Sequence, residues 1–443
     1  MARAKKEAAL TPEERLQAAL VPDWEWPYKL PENWCWTTIK NVATVVTGGT
    51  PAKNNSDYYG GEFPFFKPAD LDAGRHVSEA SEYLSDLGKS VSRIIPAQAT
   101  AVCCIGSIGK CGFLDVEGAT NQQINSAIPY FNALYQYFYM NTEFFTNQLR
   151  NSASATTIAI VNKTKMESCY YPLAPLAEQQ RIVDRIESLF AKLDEAKEKT
   201  QTVVDSFETR KSAILHKAFT GELTAKWREE HGVSIDNWKT TRFDSVAAIR
   251  SNLVDPAEYQ SFPHIAPDNI EKKTGVLLEY HTIAEDGVTS GKHRFYSGQI
   301  LYSKIRPYLS KAVVVDFDGL CSADMYPIEA YQNARCLWYY MLSDEFLLQA
   351  STAGSRSVLP KINQKELSAL TVHLPTNDRE QEEIARILDE LFDKEQQTKE
   401  AAEVVLDQID LMKKSILARA FRGELGTNDP NEESAVELLK QIF

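Results

Sequence analysis

Two stretches of this 443-residue chain place mostly apolar residues at alternating steps of four and three. In the first, positions 182, 186, 189, 193, 196, 200, 203, 207, 210 and 214 carry Ile, Ile, Leu, Leu, Ala, Thr, Val, Phe, Arg and Ile. In the second, the same steps give Ile384, Leu388, Leu391, Glu395, Thr398, Ala402, Val405, Ile409, Met412 and Ile416. That spacing predicts two long helices, each with a narrow a/d seam. The seam residues proper are Ile182, Ile186, Leu189, Leu193, Val203, Phe207 and Ile214 in one helix. In the other they are Ile384, Leu388, Leu391, Val405, Ile409, Met412 and Ile416. Outward positions are dense in Glu, Lys and Asp, and no proline interrupts either run. Asn377 ahead of Glu380 offers capping-box chemistry, and Gly221 and Gly423 are expected stop signals.

About 42 helical residues span roughly 63 Å. A narrow seam of that length cannot be hidden inside a compact domain, so each helix needs a partner. Two separate contacts with other proteins would satisfy it. More economically, the helices pair with each other, antiparallel, one carrying the chain from a first domain to a second and the other carrying it back.

The two stretches are copies. Residues 178–223 shifted by 202 fall on 380–425 without a gap, with 18 of 46 positions identical, against about three by chance at average composition. Fainter echoes precede each copy. Asn33-Trp34 and Val42-Ala43 recur as Asn237-Trp238 and Val246-Ala247, and Pro68-Ala69-Asp70-Leu71 has a counterpart in Pro267-Asp268-Asn269-Ile270. The chain reads as a duplication: a variable domain and a near-constant helix, twice.

The variable parts read as mixed α and β. Short strand-like runs such as Ala101–Ile105 and Ala312–Val315 are bounded by Gly, Pro, Asn and Asp. Aromatic stretches at Tyr135–Met140 and Trp338–Leu342 lead into helices and are assigned to core packing. Thr11-Pro12-Glu13-Glu14 is a capping box with proline at the first helical position. Ser434 and Glu437 repeat the cap ahead of a short final helix, after an exposed loop at 429–434. The expected fold class is α+β: two mixed α/β domains separated by two long antiparallel helices that form a coiled coil, with a pseudo-two-fold duplicated architecture. The expected segments are 1–29 (an extension with a short helix), 30–175 (first variable domain), 176–231 (helix region), 232–375 (second variable domain), 376–425 (second helix) and 426–443 (a tail with a short helix).

Composition narrows the function. With 43% apolar and 25% charged residues the chain belongs with folded globular proteins. No apolar run approaches the roughly 18 residues of a membrane span, and the opening MARAKKEAALTPEERL lacks a signal-peptide core. Seven cysteines without a C-x-x-C pair suggest thiols in a reducing cytoplasm. The net charge of −13 speaks against a basic nucleic-acid footprint. Its distribution weakens the objection: 30–175 and 232–375 each sum to −2, whereas the last 68 residues carry 9 basic and 17 acidic side chains. Nearly neutral variable domains permit a basic face, with weak intrinsic DNA affinity until partners add positive surface.

Catalytic motifs are absent. There is no phosphate loop of the G-x-x-x-x-G-K-[ST] type, no G-x-G-x-x-G, and no Asn- or Asp-Pro-Pro-aromatic tetrapeptide of an amino-methyltransferase. Gly106-Ser107-Ile108-Gly109-Lys110 is explained by a turn between strands, and the acids around Pro267-Asp268, Glu271 and Lys273 crowd one loop. The sequence reads as a reader or scaffold, not a catalyst, and no metal site is expected. Two other classes stay open: a tandem-domain scaffold that binds no DNA, and an enzyme using Cys103 or Cys104 as a nucleophile.

Pro175-Leu176-Ala177-Glu178-Gln179-Gln180-Arg181-Ile182, the Ala-Phe-x-Gly-Glu-Leu helix endings at 218–223 and 420–425, and Leu30-Pro31-Glu32-Asn33-Trp34 with Gly48-Gly49-Thr50-Pro51 carry a resemblance. So does Thr120-Asn121-Gln122-Gln123-Ile124. With the duplication, these make the chain resemble the specificity subunit of type I restriction–modification enzymes over about residues 28–425. It departs where Asp378-Arg379 replaces proline-leucine, and where Ser322-Ala323-Asp324 replaces the Asn-Gln-Gln turn.

The resemblance implies a non-catalytic, cytoplasmic DNA-binding subunit of a phage-defence system. Each variable domain would be a target-recognition domain reading half of a bipartite DNA sequence. The helix pair would set half-site spacing and dock two modification subunits. S-adenosylmethionine, ATP and Mg would be bound by the modification and motor–nuclease partners, none by this chain. Groove reading favours Arg, Lys, Asn and Gln for bases, with Lys and Ser/Thr for phosphates. The candidates are Thr50, Lys53, Lys67, Lys110, Gln122, Lys163 and Lys165 in the first domain, and Lys292, Arg294, Lys304, Arg306, Lys311, Arg356 and Lys361 in the second.

Overall fold

The computed structural model describes residues 11–154, 159–353 and 360–443. They form two compact units: one comprises the chain up to Lys199 with Val405–Phe443, the other Thr200–Val404.

In the first unit, Pro12–Ala19 is a helix closed by the Thr11–Glu14 capping box. Cys35–Thr38 pairs antiparallel with Tyr170–Leu173. A four-stranded antiparallel sheet runs in the order Ala43–Thr47, Ile124–Pro129, Thr100–Cys103, Cys111–Phe113. A smaller sheet joins Glu82–Leu84, Tyr59–Phe66 and Ala119–Thr120. The aromatic run lies in the helix Ala133–Met140, started by the Asn132 side chain accepting from Tyr135 N. Tyr135 and Tyr139 pack with Trp36, Phe145, Ile182, Ile186, Leu417 and Phe421 in one core. Several aromatics in that core meet edge-to-face, as Tyr135 and Tyr139 do with Phe421.

The second unit repeats the plan. Trp238–Arg242 pairs with Thr371–Pro375. Its four-stranded sheet orders Ala247–Ile249, Met325–Ala330, Ile300–Ser303, Ala312–Val314, strand for strand the arrangement of the first. The second sheet is larger here, with five strands centred on Gly319–Cys321. The helix Ala334–Met341 supplies Tyr339 and Tyr340 to a core shared with Phe219, Trp238, Tyr302, Phe346, Ile384 and Leu388.

The long helices span Leu176–Asp205 and Asp378–Ala420. The first is broken at Ser206 and resumes as Phe207–Phe219, whereas the second runs on for 43 residues. Asn377 Oδ1 accepts from Glu380 N at 3.2 Å at its start. Both copies stop just ahead of Gly221 and Gly423, which sit at φ +81° and +73°, a conformation that favours glycine. In the first unit, Lys197 reaches Asp410 at 2.8 Å while Lys413 bonds Asp194. Partners that descend as their neighbours ascend make the pair antiparallel. In the second unit Arg210 binds Glu395 at 2.8 Å and Lys399 lies over Phe207, again antiparallel.

The heptad stripe is not buried along its whole length. Ile182, Ile186, Phe207, Ile384, Leu388 and Ile409 are buried, and Leu189, Leu193, Ile214, Leu391 and Ile416 are half-buried. Val203, Val405 and Met412 are 37, 40 and 49% exposed. A straight helix drifts from a seven-residue repeat by about 20° per heptad. Towards the helix ends the buried face has accordingly moved to Leu215, Ala218, Leu417 and Ala420.

Lys211 stands out on the second unit's helix. Its ammonium is buried and donates to the carbonyls of Lys273, at 2.5 Å, and Thr274, and burial pushes its pKa down to about 8. An unfolded lysine titrates near ~10.4, so between pH 8 and that value the unfolded chain holds more protons and stability rises with pH. The wild type is expected to gain about 1–2 kcal/mol relative to Lys211→Met between pH 8 and pH 10. Urea midpoints at the two pH values check it, and parallel pH dependences would contradict it.

Where each long helix begins, a carboxylate is fully buried. Glu380 accepts from Arg228 Nη1 at 2.7 Å, Thr224 Oγ1 at 2.8 Å, Trp238 Nε1 at 3.0 Å and Asn237 Nδ2 at 3.0 Å. Burial alone would raise its pKa, but the side-chain hydrogen bonds from Asn237, Arg228, Thr224 and Trp238 outweigh it and hold the carboxyl below its usual value. Glu178, the copy, accepts from Trp34 Nε1 at 2.7 Å, Asn428 Nδ2 at 2.8 Å and Thr427 Oγ1 at 3.3 Å, and among the described residues no guanidinium donates a hydrogen bond to it. The neighbouring glutamines match too: Gln179 Nε2 donates to Ala174 O and Gln381 Nε2 to Pro375 O, each at 2.8 Å.

Candidate nucleic-acid interface

The four-stranded sheet of each unit projects one hairpin loop, residues 103–110 in the first and 303–311 in the second. In the first unit that loop is braced by Val161 N donating to Cys104 O, and by the bridge between Ile105 and Ile160. Lys163 and Lys165 follow directly on the bracing segment. Lys163 lies 3.5 Å from Glu167, and Lys165 donates to Ser154 Oγ at 2.6 Å. Lys110, closing the loop, reaches Asp72 at 2.5 Å.

A second cluster gathers around the turn at 120–123. Gly49 N donates to Thr120 O, Asn121 N to Phe66 O, and the Thr50 hydroxyl to Gln122 Oε1. Lys67, next to Phe66, pairs with Glu82 at 3.1 Å. The structure thus brings together Thr50, Lys67 and Gln122. Lys53 is exposed and among the described residues has no ion pair or side-chain hydrogen bond.

In the second unit, Lys304 and Lys361 converge on Asp324 at 3.8 and 3.2 Å. That aspartate is one of the residues departing from the Asn-Gln-Gln turn of the first copy. Lys304 Nζ also donates to Ala323 O at 2.5 Å, and Lys311 donates to Pro267 O at 2.6 Å beside Asp268. Arg306 N donates to Pro360 O at 2.8 Å, which puts Arg306 in the same cluster. Lys292 and Arg294 lie on a strand of the other sheet. Lys292 is buried and donates to the Ser290 carbonyl at 2.8 Å, and burial lowers its pKa. Arg294 sits among the rings of Tyr296, Tyr259 and Phe262 at 4.9, 5.5 and 5.9 Å. Arg356 lies outside the described residues.

Most nominated lysines are therefore neutralised by an acid or held by a carbonyl; among the described residues of the set, Arg306, Arg294 and Lys53 have neither, and Lys165 has only the Ser154 hydroxyl. Sequence reasoning passed over Tyr308, 47% exposed two residues beyond Arg306. Its signal was an aromatic within a turn-rich segment, whereas most aromatics here are core.

Nothing in these clusters is arranged for catalysis. Cys103 and Cys104 are buried, and burial pushes the Cys104 thiol up to about 12, far from the thiolate a nucleophile needs at neutral pH. Among the described residues no group of three or more His, Cys, Asp or Glu could hold a metal ion, and no helix is long and apolar enough to cross a membrane.

Comparison with known proteins agrees with the duplicated plan. The family of the type I restriction modification DNA specificity domain matches twice, at residues 31–204 and 235–405. The chain is 34% identical to the type I restriction enzyme EcoDI specificity subunit of Escherichia coli, over 94% of this chain and 95% of that one. It is 23% identical to the EcoKI specificity subunit of Escherichia coli strain K12, covering 94% and 96%. The HsdS subunit from Thermoanaerobacter tengcongensis superposes with a TM-score of 0.59 at 18% identity, covering 90% of this chain and all of that one. A chain from a structure of a type I restriction–modification system reaches 0.69 at the same identity and coverage. With two matches that together take in most of its length, the chain belongs to the family of type I restriction–modification DNA specificity subunits.

Proposed function

We propose that the chain recognises a bipartite DNA target for a type I restriction–modification complex, each variable domain reading one half. The observation that carries this is the repeated sheet framework projecting, in each unit, a hairpin loop flanked by lysines. Two similar frameworks with divergent loops suit two different half-sites on one duplex. The long helices set the spacing between half-sites and dock two modification subunits, which bind S-adenosylmethionine and methylate a flipped-out adenine. Motor–nuclease subunits add ATP- and Mg-dependent translocation and cleavage. The assembly works in the cytoplasm, where its DNA is. Because each variable domain carries a net charge of −2, binding by the isolated chain is weak and strongly salt-dependent.

Exchanging residues 232–375 for the corresponding domain of another family member is expected to change one half of the methylated sequence and leave the other intact. Methylation-sensitive sequencing of DNA from cells carrying each version reads both half-sites and the spacer. A change in both halves would refute the assignment of one domain to one half.

A further inference from the structure

The hairpin loops of the two units can be matched residue by residue. In the first, Val102 pairs with Cys111, Cys103 N donates to Lys110 O, and Val161 N donates to Cys104 O. In the second, Tyr302 pairs with Ala312, Ser303 N donates to Lys311 O, and Ile362 N donates to Lys304 O. Ile105 bridges Ile160, and Ile305 bridges Lys361. The next residue is Gly106 in one loop and Arg306 in the other. Both adopt the left-handed conformation, at φ +80° and +48°.

Glycine takes that conformation freely, and a residue with a Cβ takes it at a cost. The second loop nevertheless places a long side chain there. Arg306 is exposed, and among the described residues its guanidinium makes no ion pair or hydrogen bond. Its neighbours Lys304, Lys311 and Lys361 are each engaged by a carbonyl or a carboxylate. The backbone at Arg306 is held by Arg306 N donating to Pro360 O and Leu309 N donating to Arg306 O, but among the described residues nothing engages the guanidinium that this conformation presents. A strained backbone presenting an unengaged, planar, five-donor cation is the pattern of a side chain kept for a ligand.

We infer that Arg306 is a DNA-gripping residue of the second domain that has no counterpart in the first. Its guanidinium grips a pair of acceptors on the DNA, either O6 and N7 of a guanine or two oxygens of one phosphate. The first domain, with Gly106 at the equivalent place, makes no such contact. This deepens the DNA-reading proposal and rests on it.

The test is Arg306→Gly in the full chain, assembled with its modification subunits and titrated with duplexes carrying its own target. Glycine suits the backbone, so the thermal midpoint should hold or rise while affinity falls roughly ten-fold or more. If the acceptors belong to a guanine, the variant loses discrimination at one base pair of the second half-site. If they belong to a phosphate, affinity falls on every sequence and the salt dependence drops by about one counterion. Binding within two-fold of wild type would overturn the inference, and so would a variant that unfolds, because glycine should be accepted there. A wild-type complex that bound no duplex would overturn the DNA reading itself, and this inference with it.

Discussion

Replacing Glu380 with alanine is expected to cost about 3–5 kcal/mol of folding free energy. The change removes the acceptor of four side chains at once: Arg228, Thr224, Trp238 and Asn237. The Arg228 side chain is only 10% exposed, so a guanidinium is left in a dry site without its counter-charge. That is the costly way to break a buried pair. Glu178→Ala provides the comparison, since Trp34, Thr427 and Asn428 are neutral donors that lose one partner. Its expected cost is about 1–3 kcal/mol. Urea unfolding of both variants beside the wild type measures the difference. Equal losses would show that the guanidinium has no special role. Because the Glu380 carboxyl is held below its usual pKa, its contribution is fully present above the ordinary carboxylate value of about 4.3 and is lost below it, as pH falls through the depressed native value. In the Glu380→Ala variant, unfolding should depend less on pH in that acidic window.

Inserting one heptad into each long helix is expected to lengthen the preferred DNA spacer or to abolish modification. The insertion belongs at the level where Lys413 bonds Asp194, so that the antiparallel register on either side is kept. Seven residues add about 10 Å, close to three base pairs at roughly 3.4 Å each. Three base pairs also turn the duplex by roughly 100°, since 10–10.5 base pairs make a full turn. The recognition faces must then meet grooves at a new phase, which makes outright loss as natural an outcome as a longer spacer. Methylome sequencing distinguishes the two. An unchanged spacer in an active variant would falsify the ruler.

Much of this architecture is written in the identities between the two copies. Glu178-Gln179 and Glu380-Gln381 recur because each pair occupies the same buried setting: the glutamate beneath a tryptophan, the glutamine on the carbonyl of Ala174 or Pro375. Asn-Trp recurs at residues 33 and 237 because the tryptophan, just ahead of the first strand in one unit and opening it in the other, donates to the buried glutamate. The helices were legible because a 3.5-residue stripe is a local signal. The break at Ser206 was not, since no proline or glycine marks it. The inner face was missed where helix drift carries it onto Leu215 and Leu417. The loops were the least legible part. Lysine content could nominate positions, but whether a lysine is neutralised depends on acids distant in sequence, as Asp324 is from Lys361. The left-handed backbone at Arg306 could not be read from its residue type, because arginine gives no hint of it.

The buried settings at the two helix starts also govern which grafts will take. An exchange of residues 232–375 leaves Glu380, Arg228 and Thr224 with the recipient, while Asn237 and Trp238 arrive with the donor. A donor that opens with Asn-Trp brings the two donors the recipient's carboxylate needs. One without them strands that carboxylate among fewer partners, so the hybrid loses stability before its new specificity can be read. The interchangeability of such domains is thus set by a short compatibility code at the splice point, separate from the loops that meet the DNA.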